Sequence, residues 1–302
     1  MKKILVVILF SACALPSVMA QVDPLYAQYL SNPLLINPAY TGSTNNFNGA
    51  LTYRKQWAGF EGSPSTVNAT GHISLFDNRM GVGLMIIEDK SGNNRNTEVH
   101  GTYAYKLNLQ DKTISFGLQA GVINFRSDNG ELNPFDPSDP AFSTWQNTTR
   151  PSFGTGIIIK SERYFAGISV PRLLKASAQE GNMETSLYTQ HFYVAAGYII
   201  FISEDILFKP SVLFKGVKGV PVSIDYNLSF NLWQKYTVGA YTRNLKTYGL
   251  LAQMRAGKIF RFGYTFEVPT NKSVGARFTS HEICLGVNMD IFNFHDTSLS
   301  GF

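Results

Sequence analysis

The chain has 302 residues and a formal net charge of +5, from 26 Lys and Arg against 21 Asp and Glu with no basic run, which excludes the concentrated positive footprint of a nucleic-acid-binding protein. Charged residues are only 16% of the chain, aromatics 13%, and mean hydropathy is −0.06. That balance does not suit a compact soluble enzyme, whereas a β-barrel with an apolar outer face and a polar inner face averages to neutral.

Met1-Lys2-Lys3, the apolar run Ile4 to Phe10 and the small-residue end Val18-Met19-Ala20 have the form of a secretory signal peptide over residues 1–20. The mature chain is then expected to begin at Gln21 with a net charge of +3. Phe10-Ser11-Ala12-Cys13 loosely resembles a lipoprotein cleavage box, but a Phe three residues before the Cys fits it poorly. Only Cys284 survives such processing, so no intrachain disulfide can form in the oxidising compartment that export implies. Cys284 reads most simply as a small buried residue. No later stretch approaches the roughly eighteen apolar residues that a membrane helix needs.

Residues 21–45 have a grammar of their own. Three of the 13 prolines fall here, in Asp23-Pro24, Asn32-Pro33 and Asn37-Pro38, and Asx-Pro pairs start turns while Pro blocks helix and central-strand pairing. The segment is predicted to be irregular and to occupy the lumen of the barrel, or its periplasmic mouth, or to contact a partner. Asp23, Pro24, Tyr26, Gln28, Tyr29, Asn32, Pro33, Asn37, Pro38, Ala39, Tyr40 and Gly42 are the candidate residues. The plainer alternative is a leader into the first strand.

From residue 46 the texture changes to period two. Along Val220 to Leu232 the apolar Val222, Ile224, Tyr226, Leu228 and Phe230 alternate with Ser223, Asp225, Asn227, Ser229 and Asn231. Blocks of this kind predict about 14 strands: 46–57, 64–75, 79–88, 96–107, 112–124, 152–160, 163–170, 189–201, 205–215, 220–232, 235–243, 247–257, 258–267 and 281–292. Together they form a barrel over 46–292 with a short tail, 293–302. Connections after even-numbered strands are short. Those after odd-numbered strands are mostly longer, as at 58–63, 89–95, 125–151, 171–188 and 268–280. Outer-membrane barrels have an even strand number and short periplasmic turns, so both termini are expected in the periplasm. A soluble β-sandwich is the rival fold, but its polar face would carry many Lys and Glu. Here that face is Gly, Ser, Thr, Asn and Gln, with scattered charge. Its glycines, among them Gly117, Gly121, Gly197, Gly239, Gly263 and Gly286, suit bends or the close approach of another backbone.

No catalytic motif survives inspection, and no cofactor is expected. Gly81-Val82-Gly83 and Gly154-Thr155-Gly156 lie inside predicted strands, and His281-Glu282 lacks the second His of a zinc helix. His72, His100 and His191, with Glu98 or Glu282, fall on lumen positions and would be the only material for a metal or general-base site; hydrogen-bonded filling is the simpler reading. By alternation Arg54, Lys106, Lys209, Lys215, Arg255 and Arg261 point inward, as do Glu98, Asp225, Glu282 and Asp290. Mixed signs suit a salt-bridged, filled lumen or a water-lined pore. Arg54, Gln56, Arg255, Arg261, Asp225 and Glu282 are the candidate lumen anchors, with Arg54 and Gln56 expected to hold the N-terminal segment.

Asp23-Pro24-x-Tyr26-x-Gln28-Tyr29, Asn37-Pro38-Ala39-Tyr40-x-Gly42 and Tyr53-Arg54-Lys55-Gln56-Trp57 resemble the PorP/SprF family of type IX secretion system membrane proteins of Bacteroidota. Gly81-Val82-Gly83-Leu84, Val170-Pro171-x-Leu173-Leu174, Phe208-Lys209-Pro210-Ser211, Lys215-Gly216-Val217-Lys218-Gly219-Val220-Pro221 and Ser280-His281-Glu282-Ile283 extend the match in order to the last strand. The resemblance implies a non-enzymatic outer-membrane barrel, embedded in outer-membrane lipid. It would work with the type IX export and gliding machinery, either in its core or as partner of one large secreted adhesin. The chain stops about ten residues past its last strand, so a fused periplasmic domain is not expected. Competing classes are a diffusion channel or hydrophobic-compound transporter, and an outer-membrane enzyme.

Overall fold

The computed structural model describes residues 29, 32–44, 46–127, 146–180, 183–270 and 277–290. Seventeen strands follow one another among the described residues. They are β1 (Phe47–Lys55), β2 (Ser65–Leu75), β3 (Met80–Ser91), β4 (Asn94–Asn108), β5 (Lys112–Ser127), β6 (Gln146–Ser161), β7 (Tyr164–Val170), β8 (Ala176–Glu180) and β9 (Met183–Tyr188). Then come β10 (His191–Tyr198), β11 (Ile200–Phe201), β12 (Ile206–Val217), β13 (Val220–Leu232), β14 (Tyr236–Arg243), β15 (Thr247–Ala256), β16 (Phe260–Pro269) and β17 (Ser280–Met289). β8 and β9 form a separate hairpin in the connection after β7.

The other strands make one antiparallel sheet. β10 and β11 are two halves of one strand broken at Ile199, so the sheet is a barrel of 14 strands. β1 pairs with β17, from Phe47 opposite Met289 to Lys55 opposite His281, and the pairing of β10 with β12 closes the ring. Closure leaves no unpaired edge, and the β-sandwich alternative falls with it.

Polarity is inside out. In β1, Leu51 and Tyr53 are 48% and 47% exposed while Thr52 and Arg54 between them are 2% and 3% exposed. β13 repeats the pattern, with Val222, Tyr226 and Leu228 facing out and Asp225, Asn227 and Ser229 buried within. A lipid-facing apolar surface around a polar interior is the pattern of a transmembrane barrel, in which every backbone group is paired between strands.

At one end all connections are tight turns: 76–79, 109–111, 162–163, 202–205, 233–235 and 257–259. The other end carries the longer connections, but not at every position expected. The predicted loop over 89–95 is a hairpin about Gly92 and Asn93, with Gly92 at φ +57° and strand pairing continued to Ser91 opposite Asn94. β5 and β6 likewise run past their predicted ends, to Ser127 opposite Gln146. Polar residues there continue the ladder without continuing the apolar alternation, which is why period two understates their length. Another tight turn at this end places Asn244 and Leu245 at φ +53° and +54°, the left-handed pair of a type I′ hairpin.

Candidate functional site: the filled lumen

The described part of the irregular segment, Tyr29 and residues 32–44, lies inside the barrel. Pro33–Leu35 and Pro38–Tyr40 form two short 3₁₀ turns, each with Pro at its first position, where a missing N–H costs nothing. The Ile36 N–H donates to Pro33 O (3.1 Å) and the Thr41 N–H to Pro38 O (3.1 Å). Asn37 caps the second turn, its Oδ1 accepting from the Ala39 N–H at 2.9 Å, and the Thr41 hydroxyl donates to Pro38 O at 2.7 Å. The two described Asx-Pro pairs, Asn32-Pro33 and Asn37-Pro38, thus start turns as their chemistry suggests.

The wall holds this segment mainly through uncharged hydrogen bonds, donated from both sides. Ser115 in β5 donates to Ala39 O at 2.7 Å, and Ser169 in β7 to Ile36 O at 2.6 Å. Asn32 Nδ2 donates to Thr70 Oγ1 at 3.0 Å, and the Gly42 N–H to His72 Nδ1 at 3.1 Å, both in β2. Asn37 Nδ2 reaches the carbonyls of Ile157 and Ile168, 3.3 Å each. One cation adds to these: Lys106 in β4 donates to Gly42 O, to Ser74 Oγ (3.1 Å) and to Asn78 Oδ1 (2.5 Å).

The segment also lies against the wall backbone. A Cβ at Gly117 would stand on Pro38 and Ala39, one at Gly81 on Thr41 O, and one at Gly156 on Asn37 Oδ1. Gly42, at φ +61°, faces Gly81 and Ile73 O. Three strands therefore present bare backbone where the segment crosses them. Apolar contacts complete the seat: Tyr29, Leu35 and Ile36 pack with Met85, Ile87, Tyr193 and Leu213, and Ala39 and Tyr40 with Ile158 and Phe165. Burying side chains such as Leu34, Leu35 and Ile36 contributes about 1.5–3 kcal/mol each. Burial also pushes the phenol of Tyr40 well above its usual pKa. The Tyr29 phenol is raised by burial first and then by Asp225, with Arg243 opposing.

The anchoring expected of Arg54 and Gln56 is corrected here. Arg54 bonds the buried Glu267 and, at 3.1 Å, Glu282. Arg243 holds Asp225 at 2.9 Å and reaches Glu267 at 3.6 Å. Five buried charges of the strands β1, β13, β14, β16 and β17 thus form one ion-pair cluster, and a buried guanidinium beside two carboxylates is committed to them rather than to backbone carbonyls. Gln56 sits past the end of β1, where its backbone N–H donates to Pro64 O at 2.9 Å. Arg255 and Arg261 face each other across β15 and β16, away from the carboxylates. Asp290 lies just past β17 and is exposed. Asp23, Pro24, Tyr26 and Gln28 lie outside the described residues.

Arg243, Glu267 and Arg172 were not singled out from sequence. Arg243 and Glu267 stand at strand ends, yet the alternation through Tyr241 and Thr265 would have assigned them inward. Arg172, in the connection after β7, turns into the lumen and binds Glu98 through Nε (3.0 Å) and a terminal nitrogen (2.5 Å); Glu98 also meets His100 Nε2 at 2.9 Å. Pro171 O accepts from Gln119 Nε2 at 2.8 Å. No period could have revealed that contact. The histidines are separated by their partners, His72 on Gly42, His100 on Glu98 and His191 stacked with Tyr193. Among the described residues no three His, Cys, Asp or Glu side chains gather as a metal site.

The sequence profile of the family described as type IX secretion system membrane protein PorP/SprF matches residues 18–287. No curated protein matches. Among solved structures, the CymD monoaromatic hydrocarbon channel superposes with a TM-score of 0.54 at 10% identity, over 92% of this chain and 96% of that one. The P. putida toluene transporter TodX gives 0.47 at 11% identity, over 85% and 92%. The Acinetobacter baumannii outer membrane protein Omp33 gives 0.46 at 8%, over 82% and 99%. At 10% identity the likeness to CymD is one of fold.

Proposed function

The chain belongs to the PorP/SprF family of type IX secretion system membrane proteins, and from that membership together with its filled lumen we propose that it is a non-enzymatic, non-conducting outer-membrane docking component of the secretion machinery. It supports export or surface attachment of a cognate secreted adhesin, or contacts periplasmic components of the machinery. The observation that carries this reading is the segment 32–44, bonded to the wall from Thr70 to Ser169 and packed across the lumen. An open diffusion pore would leave this space to water. In this reading residues 1–20 direct export and the end with the six tight turns faces the periplasm. The entry to β1 and the exit of β17, paired at Phe47 and Met289, then both open there.

Replacement of Asn37-Pro38-Ala39-Tyr40 by Gly-Ser repeats tests the role. Surface display of the adhesin is expected to be lost while the barrel remains folded and heat-modifiable on gels. Normal display from a normally abundant variant would reduce the segment to a leader. A diffusion channel or hydrophobic-compound transporter is the competing reading; the resemblance to CymD is of fold, and the path through this barrel is occupied by its own chain.

A further inference from the structure

Phe208-Lys209-Pro210-Ser211 places a proline in the interior of β12, paired with Leu228 of β13 on one side. A proline gives no N–H to a ladder, and inside sheets it is otherwise confined to edges, strand starts and bulges. Its other side is where β10 and β11 part. β10 pairs with β12 as far as Gly197 opposite Ser211, and β11 resumes with Ile200 opposite Phe208 in the same register, so no residue is inserted at Ile199. The Ile199 N–H donates to Arg163 O, beside β7, at 2.6 Å, whereas the Ile202 N–H donates to Ile206 O, on the β12 side, at 3.0 Å. Alternate residues of an antiparallel strand address opposite neighbours, so Tyr198 turns its N–H and C=O toward Pro210, which has no N–H to return. The barrel wall lacks a ladder bond at this point.

The wall is also short here. β7 and β10 have 7 and 8 residues, against 15 and 16 in β4 and β5, so few bonds flank the gap. Gly197 leaves the inner face bare, and a Cβ on it would stand on the ring of Phe165. That ring covers the gap from within and meets Tyr40 of the N-terminal segment edge-on, with centroids 6.5 Å apart. Tyr198 and Ile200 are exposed on the lipid side. A lumen cavity of about 160 Å³ reaches the gap: Tyr198 and Pro210 line it together with Tyr40, Phe165, Ser211 and Leu251. We propose that this seam is a side port through which an apolar chain dissolved in the bilayer reaches the lumen cavity, and that Tyr40 against Phe165 holds it shut. Local opening starts where bonds are fewest, and both rims of the gap are apolar. The port leads sideways into lipid and leaves the lumen axis filled, so it goes beyond the docking role and its test does not depend on secretion.

Two measurements on the full-length protein in lipid nanodiscs test the port. Hydrogen exchange in the native protein should run roughly tenfold faster at Tyr198 to Ile200 and at Phe208, Lys209 and Ser211 than at Val99 to Tyr103, which pair with Leu118 to Val122 in the β4–β5 ladder. The second follows labelling of S211C/C284S by N-dodecylmaleimide dissolved in the bilayer and by a sulfonated maleimide in water. The Ser211 hydroxyl has no hydrogen-bond partner among the described residues, so its replacement breaks no bond there. The dodecyl reagent should label the faster of the two. Adding P210A, which restores the missing donor, should slow that labelling several-fold, and adding Y40A should speed it. The port is overturned by exchange at the seam as slow as in the β4–β5 ladder, or by a dodecyl rate unchanged in P210A. Equal or faster labelling from water would also overturn it, by placing access at the mouth of the barrel. A rate unchanged by Y40A would overturn the role given to Tyr40.

Discussion

Pro38 and Ala39 occupy the place where a side chain on Gly117 would stand. Gly117→Val therefore forces either the segment off the wall or β5 outward, and overpacking of this kind costs about 1–3 kcal/mol. Its unfolding temperature, read from the heat-modified gel shift, should fall. Gly101→Val in neighbouring β4 is the control, because its Cβ would meet nothing closer than Ala120 O at 3.8 Å. Equal shifts in the two variants would show that Gly117 answers only to the strand. The charge cluster makes a second residue-scale case. Arg54→Ala removes the guanidinium that meets both buried Glu267 and Glu282, and breaking a buried pair costs about 3–5 kcal/mol. Arg54→Met with Glu282→Met should recover part of that loss, since apolar side chains of similar volume remove both desolvated charges. A double variant no more stable than Arg54→Ala would contradict the account of the cluster.

At the scale of the element, the strands were legible and the seat of the segment was not. Period two survives in β13 and β17 because one face meets lipid and the other a polar interior, so the physical contrast is written at every residue. It fails at Ser91 to Asn96 and at Ser127, where both faces meet water and polar residues suit either loop or strand. The 3₁₀ turns at Pro33 and Pro38 follow from local Asx-Pro chemistry and could be anticipated. Their anchors could not: Ser115, Ser169 and Thr70 are ordinary small polar lumen residues, brought to the segment from 76, 133 and 38 residues away. Lys106 was recognisable as inward but not as the cation that fastens Gly42. The glycines offered the better clue, for a wall position that refuses a side chain marks a neighbour close behind it.

At the scale of the molecule, the two ends of the barrel differ, and orientation follows from which one faces the periplasm. With the tight turns inside, a membrane-impermeant thiol reagent on intact cells should label a Cys placed at Glu61 and leave one at Asp77 or Glu204 unlabelled until the outer membrane is permeabilised. The reverse pattern would invert the barrel and place both ends of the sheet, Phe47 and Met289, outside. Orientation aside, a docking component and a channel of the same fold differ in what fills the lumen. The most direct measurement is single-channel conductance in planar bilayers, comparing the full-length protein with a variant lacking residues 29–44. The account predicts a silent full-length protein and stable conductance steps once the segment is removed; large, stable steps from the intact protein would contradict it.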